Sequence, residues 1–272
     1  TITALFDKYD CLFIDKLSHA SIIDACRMSG AQTRVFPHKN YRRLEEMLKK
    51  ATGYRQRCII TDSVFSMDGD CADLKELVAL KKEHGALLMI DEAHGTGVFG
   101  IGGRGLAEEQ DVEADIDICM GTLSKAVGGL GGFVVGEEVL VRYLQNKTRS
   151  FIYTTSMPAA IAAALVCAID IVEEDVQLRQ KLWNNVTIVR TFLKNELERL
   201  DEISSPIIPV IVGDSEHALT LSKNMLEAGF FIPAVRYPTV AKNKARLRIS
   251  LSAAHSADDI MRMLTVLKKV FK

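Results

Sequence analysis

The chain has 272 residues, 48% hydrophobic and 25% charged, with 34 lysines and arginines against 35 aspartates and glutamates for a formal net charge of -1. That composition supplies a substantial core and excludes intrinsic disorder and a fibrous repeat. Near-neutral charge excludes a generally basic, nucleic-acid-coating protein, and no apolar run reaches the ~20 residues of a membrane-crossing helix. Partners are therefore expected to be neither nucleic acid nor membrane. Six cysteines, Cys11, Cys26, Cys58, Cys71, Cys119 and Cys167, are widely spread without C-x-x-C spacing. They read as buried free thiols of a reducing, cytoplasmic compartment rather than a disulfide or zinc framework, and no metal is expected.

Thr1 opens the chain with neither an initiator methionine nor the charged and apolar regions of a leader, so the expectation is a stretch of a longer polypeptide. As far as about residue 136, short apolar runs alternate with helical patterns in the rhythm of a mostly parallel sheet covered by helices. The predicted strands are 11–14, 33–36, 58–60, 86–90, 116–120 and 132–135. Their unbroken hydrophobicity fits strands buried on both faces. Helices are predicted at 41–51, with Leu44, Met47 and Leu48 on one face, and at 73–83 with Asp73 as N-cap. Pro158 opens an alanine-rich helix to about Val172, and the acidic run Glu173–Asp175 marks a boundary. An amphipathic stretch from Val176 to about Leu200 follows, carrying Leu182, Val186, Val189, Leu193, Leu197 and Leu200 at helical spacing. The remainder reads as strand 207–212, helix 215–228 closed by Gly229, strands 230–234 and 246–251, and helix 257–271. The expected organisation is a large α/β domain, 1–175, and a smaller α+β C-terminal domain, 176–272.

Chemistry-bearing residues gather where predicted strands end. Leu87–Ile90 runs directly into Asp91-Glu-Ala-His94-Gly-Thr-Gly97, and ligand sites of open α/β sheets lie outside the carboxyl ends of strands. Taken alone, this aspartate equally suits a loop cap or a nucleotide hydrolase. Lys125 follows another buried run, between hydroxyls at Thr122 and Ser124 and dense glycine from Gly128 to Gly132. Such a turn can hold a phosphate while the amine, desolvated and with its pKa lowered, acts as nucleophile and base. His19, in Ser18–Ser21, and Ser66, in Val64–Asp70, follow two further strands.

Together, G-T-L-S-K-A-V-G-G around Lys125, D-E-A-H-G-T-G from Asp91, S-H-A-S around His19 and V-F-S-M-D-G-D around Ser66 resemble the α-oxoamine synthases along the chain from Thr1 to Lys272. These fold-type I transferases use pyridoxal 5′-phosphate (PLP) to join an amino acid to an acyl thioester with loss of carbon dioxide. Within the family, H-G-T-G-V-F-G from His94, Y-T-T-S-M-P from Tyr153, Y-P-T-V from Tyr237 and A-R-L-R-I from Ala245 lean toward the branch using L-alanine and a pimeloyl thioester. A sister branch using glycine and acetyl-CoA, and a non-catalytic subunit of the same fold, are the alternatives. The D-E-A-H string also imitates a helicase ATPase, but no G-x-x-x-x-G-K-[ST] phosphate loop occurs in these residues.

The resemblance implies a PLP-binding domain over 1–175 and a role for each matched residue. Lys125 would carry the cofactor as a Schiff base and then remove the Cα proton; Asp91 would face the pyridine nitrogen; His19 would stack on the ring. His94 would hydrogen-bond the phenolic oxygen with Ser66 nearby, and Thr122 would bind phosphate. Thr154 or Thr155 would reach the phosphate of a neighbouring subunit, so a homodimer with a shared active site is implied. Arg248 would clamp the amino acid's carboxylate, and Arg236 is the candidate for the acyl substrate. The family's pattern also extends well before the segment that Thr1–Asp15 resembles, with a glycine-rich stretch and a turn that packs over the cofactor ring and contributes phosphate donors.

Overall fold

In the computed structural model, which describes residues 1–196 and 204–271, the chain divides into two compact units. The first comprises Thr1–Phe65 and Ala72–Asp175, the second Ser66–Cys71 and Val176–Lys272.

The first unit runs α1 (Ile2–Leu5), β1 (Cys11–Asp15), α2 (Ala20–Ser29), β2 (Gln32–Phe36), α3 (Tyr41–Lys49), β3 (Arg57–Asp62), α4 (Leu74–His84), β4 (Leu87–Asp91), α5 (Leu106–Glu109), β5 (Ile118–Thr122), β6 (Gly132–Gly136), α6 (Glu138–Lys147), α7 (Arg149–Ile152) and α8 (Ala159–Glu174). Its six strands lie in the order β2-β1-β3-β4-β5-β6, parallel except for antiparallel β6. All five residues of β1 are buried, as are most of β3 and β4, which explains their unbroken apolar sequence. The edge strands β2 and β6 depart from that expectation and expose Val35 and Val135. Leu12, Ile14, Cys58, Ile60 and Met89 form the core with Ile2, Phe6 and Ile22, each large side chain contributing roughly 1.5–3 kcal/mol by its burial.

Helix starts follow local chemistry. Asp73 caps α4 as predicted, its Oδ1 accepting the Glu76 N–H at 3.0 Å, and Asn40 caps α3 by accepting from Arg43 N–H at 2.9 Å. Gly85, at φ +57, ends α4 in a left-handed turn that a side chain would resist. Between β1 and β2 the chain travels to one side of β1, and β3 then enters on the other side. That reversal is a topological switch point, where ligands of open sheets bind.

The second unit holds α9 (Val176–Glu196), β7 (Ile207–Gly213), α10 (Ser215–Glu227), β8 (Ala234–Val235), β9 (Ala245–Ser250) and α11 (Ala257–Val270). Its antiparallel sheet has the order β7-β9-β8, packed through Val210, Leu247 and Ile249 onto Val189, Leu193, Leu221, Leu264 and Leu267. Leu197 and Leu200, expected on the same helix as Leu193, lie outside the described residues. The strand expected at 230–234 shrinks to β8, because Pro233 has no N–H for a ladder and the Ile232 carbonyl accepts from Ser222 Oγ at 2.7 Å. Gly229, at φ +91, closes α10 one residue past its cap, Ala228. α11 begins with a capping box between Ser256 and Asp259.

Residues 66–71, which a linear division leaves in the first domain, dock on β9. Buried Arg246 donates through Nη1 to Asp68 Oδ1 at 2.5 Å and to the Met67 carbonyl at 3.1 Å, and Arg248 Nε donates to the Ser66 carbonyl at 2.7 Å.

Three of the six cysteines, Cys11, Cys26 and Cys58, are buried, and all six are free. Cys167 is exposed on α8, correcting the expectation of burial: α8 is apolar almost all round, yet only Leu165 of it is buried. No described helix is long and apolar enough to cross a membrane.

Candidate active site

The first unit's parallel strands end on one edge, and three of them end in acids that are 6% exposed or less: Asp15 on β1, Asp62 on β3 and Asp91 on β4. Asp15 is satisfied locally, accepting from Leu17 N–H at 2.8 Å and Lys39 N–H at 2.9 Å, with His38 Nδ1 at 3.0 Å. Asp91 Oδ1 accepts the Ala93 N–H at 2.8 Å. Burial pushes the Asp91 carboxyl upward, opposed by the Ala93 N–H and by the positive fields of Lys125 and His19.

The turn after Asp91 is built around its neighbour. Glu92 is fully buried; its carboxylate accepts from Ser63 Oγ at 2.6 Å and Ala107 N–H at 2.9 Å, and also from Leu106 N–H, so it caps α5. Gly95 lies against this carboxylate: a Cβ there would stand 1.8 Å from Glu92 Oε2. The glycine after His94 is thus a packing requirement of the acid three residues earlier.

That turn presents His94, whose Nε2 lies 2.9 Å from Lys125 Nζ. Lys125 itself sits in the turn between β5 and β6. Leu123 N–H bonds to the Gly131 carbonyl at 2.9 Å and Gly129 N–H to the Leu123 carbonyl at 2.7 Å, folding the glycine run back on the strand end. Gly129 has no room for a side chain, since a Cβ would meet Leu165 Cδ2 at 2.3 Å. Thr122 and Ser124 place their hydroxyls 2.7 Å apart beside the lysine.

His19 completes the group across the switch point. It caps α2, with Nδ1 2.8 Å from Ser21 Oγ and accepting from Ser21 N–H at 3.3 Å, and its backbone N–H donates to Asp62 Oδ2 at 3.0 Å. Its ring is exposed.

Lys125, Asp91, His94, His19 and Thr122 therefore gather at one edge of the first unit's sheet. Thr154 and Thr155 are exposed in the turn between α7 and α8, hydrogen-bonded to none of these residues. Ser66 and Arg248 belong to the second unit, as does exposed Arg236. Arg248 is half-buried, donates to the Ser66 carbonyl and, at 2.7 Å, to Ser250 Oγ, and has no carboxylate partner among the described residues. Burial lowers its pKa. Asp62, Ser63 and Glu92 were missed by sequence reasoning. Asp62 had a signal, since it follows the buried run 58–61 as Asp91 follows 87–90.

The chain matches the aminotransferase class I and II family over residues 1–267. It is a member of that family. The 8-amino-7-oxononanoate synthase of Geobacter sulfurreducens is 43% identical over 273 residues, covering 100% of this chain and 70% of that protein. A Bacillus cereus (strain B4264) relative is 43% identical over 260 residues, 95% of this chain and 66% of its own length. The chain thus spans about two thirds of these family members. Among solved structures, Sphingomonas wittichii serine palmitoyltransferase superposes with a TM-score of 0.95 at 34% identity, covering 99% of this chain and 68% of that one. The 8-amino-7-oxononanoate synthase of Francisella tularensis gives 0.85 at 30% identity, covering 98% and 77%. A structure described as SPT with PLP gives 0.96 at 33% identity, covering 99% and 68%. The fold is the fold-type I arrangement that the motifs implied.

Proposed function

We propose that the protein is a PLP-dependent α-oxoamine synthase that condenses L-alanine with pimeloyl-CoA, or a pimeloyl carrier-protein thioester, to 8-amino-7-oxononanoate, carbon dioxide and free thiol in biotin biosynthesis. The observation carrying this reading is Lys125 Nζ held 2.9 Å from His94 Nε2 at the sheet edge where Asp91 ends β4. The donor set fits the cofactor: an amine for its aldehyde, a buried acid for its ring nitrogen, an imidazole for its phenolic oxygen and paired hydroxyls for its phosphate.

When bound, PLP supplies an electron sink for the negative charge that develops at the amino acid's Cα. Lys125 would hold the cofactor and afterwards take and return the Cα proton at Nζ, with His94 fixing where that amine points. Asp91 would favour a protonated ring nitrogen, and removing a preorganised charge of this kind costs about 3–4 kcal/mol of barrier. Thr122 and Ser124 would donate to phosphate, and His19 would cover the ring. Arg248, a guanidinium with no carboxylate partner among the described residues, would take the amino acid's carboxylate in its planar fork. Arg236 would meet the acyl substrate.

The uncovered apolar surface supports a homodimer with shared active sites. α8 exposes Val166, Ile169 and Ile171, and α7 with its following turn exposes Phe151, Ile152 and Tyr153. A second copy would cover this surface, with Thr154 or Thr155 serving the partner's phosphate. Six free cysteines accord with a cytoplasmic protein.

Thiol release from PLP-loaded protein tests the reaction, with alanine plus a pimeloyl thioester set against glycine plus acetyl-CoA and serine plus palmitoyl-CoA. The first pair is expected to react fastest. Preference for either other pair overturns the substrate assignment, and no thiol release from any pair overturns catalysis.

A further inference from the structure

β3 and β4 are adjacent parallel strands whose last residues, Asp62 and Asp91, are register partners. Both acids are buried, at 5% and 6% exposure. Neighbouring strands lie ~4.8 Å apart, so two anions here would face each other with little water between them. Asp62 also reaches across the switch point, where its Oδ2 accepts the backbone N–H of His19, 43 residues away, at 3.0 Å. No other described hydrogen bond engages its side chain. We propose that Asp62 is a positioning residue: it anchors the His19 backbone at the sheet edge and stands beside Asp91 as a neutral acid, leaving Asp91 the single anion of the pair.

The charged groups around it agree. Burial first, then the fields of Asp91 and Asp15, push the Asp62 carboxyl from its ordinary 3.8 up to about 8, against the His19 N–H and the Lys125 ammonium. Asp15 already has partners in Leu17, His38 and Lys39. The part played toward the cofactor rests on the proposed function; the neutral state of Asp62 does not.

The test compares wild type, Asp62→Asn and Asp62→Ala by equilibrium PLP binding, followed in the visible spectrum, and by melting temperature across pH without added cofactor. A folded-state pKa above the unfolded one makes the native state hold an extra proton between pH 4 and 8. Stability then falls as pH rises through that window. Asn cannot ionise and keeps an oxygen for His19. Asp62→Asn is therefore expected to hold PLP within about threefold of wild type and to show a shallower fall in Tm from pH 4 to 8 than wild type, with the raised Asp91 and Glu92 carboxyls contributing the remainder, whereas Asp62→Ala weakens PLP about tenfold. The proposal is overturned if Asn weakens PLP tenfold, or if the wild-type and Asn profiles of Tm against pH coincide; both readings stand even where Ala does not fold. Wild type that binds no PLP, with the Tm profiles still diverging, sinks the proposed function and still supports the neutral Asp62.

Discussion

Glu92→Ala perturbs the turn that presents His94 without touching a reacting group. The Glu92 carboxylate is fully buried and accepts from Ser63 Oγ at 2.6 Å, from Ala107 N–H at 2.9 Å and from Leu106 N–H. Ser63 can turn wholly to the Asp91 carbonyl, which it already meets at 3.1 Å, so its loss is small. The two N–H groups that open α5 have no such substitute. An unsatisfied buried donor costs about 1–3 kcal/mol, so the pair loses about 2–6 kcal/mol. Burial also raises the carboxyl's pKa, an unfavourable contribution that deletion removes, which brings the expected loss to about 2–4 kcal/mol. At about 2–4 °C per kcal/mol for a unit of this size, Tm should fall by about 4–16 °C. Glu92→Gln preserves one acceptor and should cost about half as much. Equilibrium urea unfolding with an unchanged m-value reads both. A loss below about 1 kcal/mol for Ala, or an equal loss for both variants, would refute the capping role.

The same carboxylate makes Gly95→Ala destabilising by about 3 kcal/mol, since the new Cβ would stand 1.8 Å from Glu92 Oε2; a melting curve unchanged from wild type would contradict this. Arg248→Lys should raise KM for the amino acid about 10–100-fold through loss of the planar fork, leaving kcat little changed; steady-state kinetics with an unaltered KM would remove the carboxylate role. Burial pushes the thiols of Cys26 and Cys119 up to about 11 and about 12, so a disulfide reagent at pH 8 should label them only after denaturation. Rapid labelling of either in native protein would show that the interior described here is open.

Much of the fold was legible because burial leaves a signature. β1, β3 and β4 are buried on both faces, so their sequences are apolar without alternation, and the acids and lysine that interrupt them stand where the strands end. β8 was misplaced for the converse reason: the apolar run 230–234 has a strand's composition, but Pro233 and the occupied Ile232 carbonyl deny it a ladder. α2 begins at His19, for which a helix-capping role stood as the alternative to a site role, yet the stretch after it carries no clear apolar periodicity and its helix went undelimited. The docking of 66–71 on β9 depends on Arg246 and Arg248, 178 and 182 residues along the chain from their partners, and no local pattern encodes such a pairing. Asp62 was hidden differently. Its significance comes from strand register, which sets it beside Asp91, and register emerges only once β3 and β4 are paired.

The central claim is that the Lys125 amine, beside His94 and near the Asp91 carboxyl, is the point of cofactor attachment. Borohydride reduction of the PLP-treated protein, followed by digestion and mass mapping, tests it most directly. A reduced pyridoxyl group on Lys125, with the visible absorption of the unreduced PLP-treated protein absent in Lys125→Ala, is the predicted result. A label on another lysine, or an unchanged chromophore in Lys125→Ala, would contradict it.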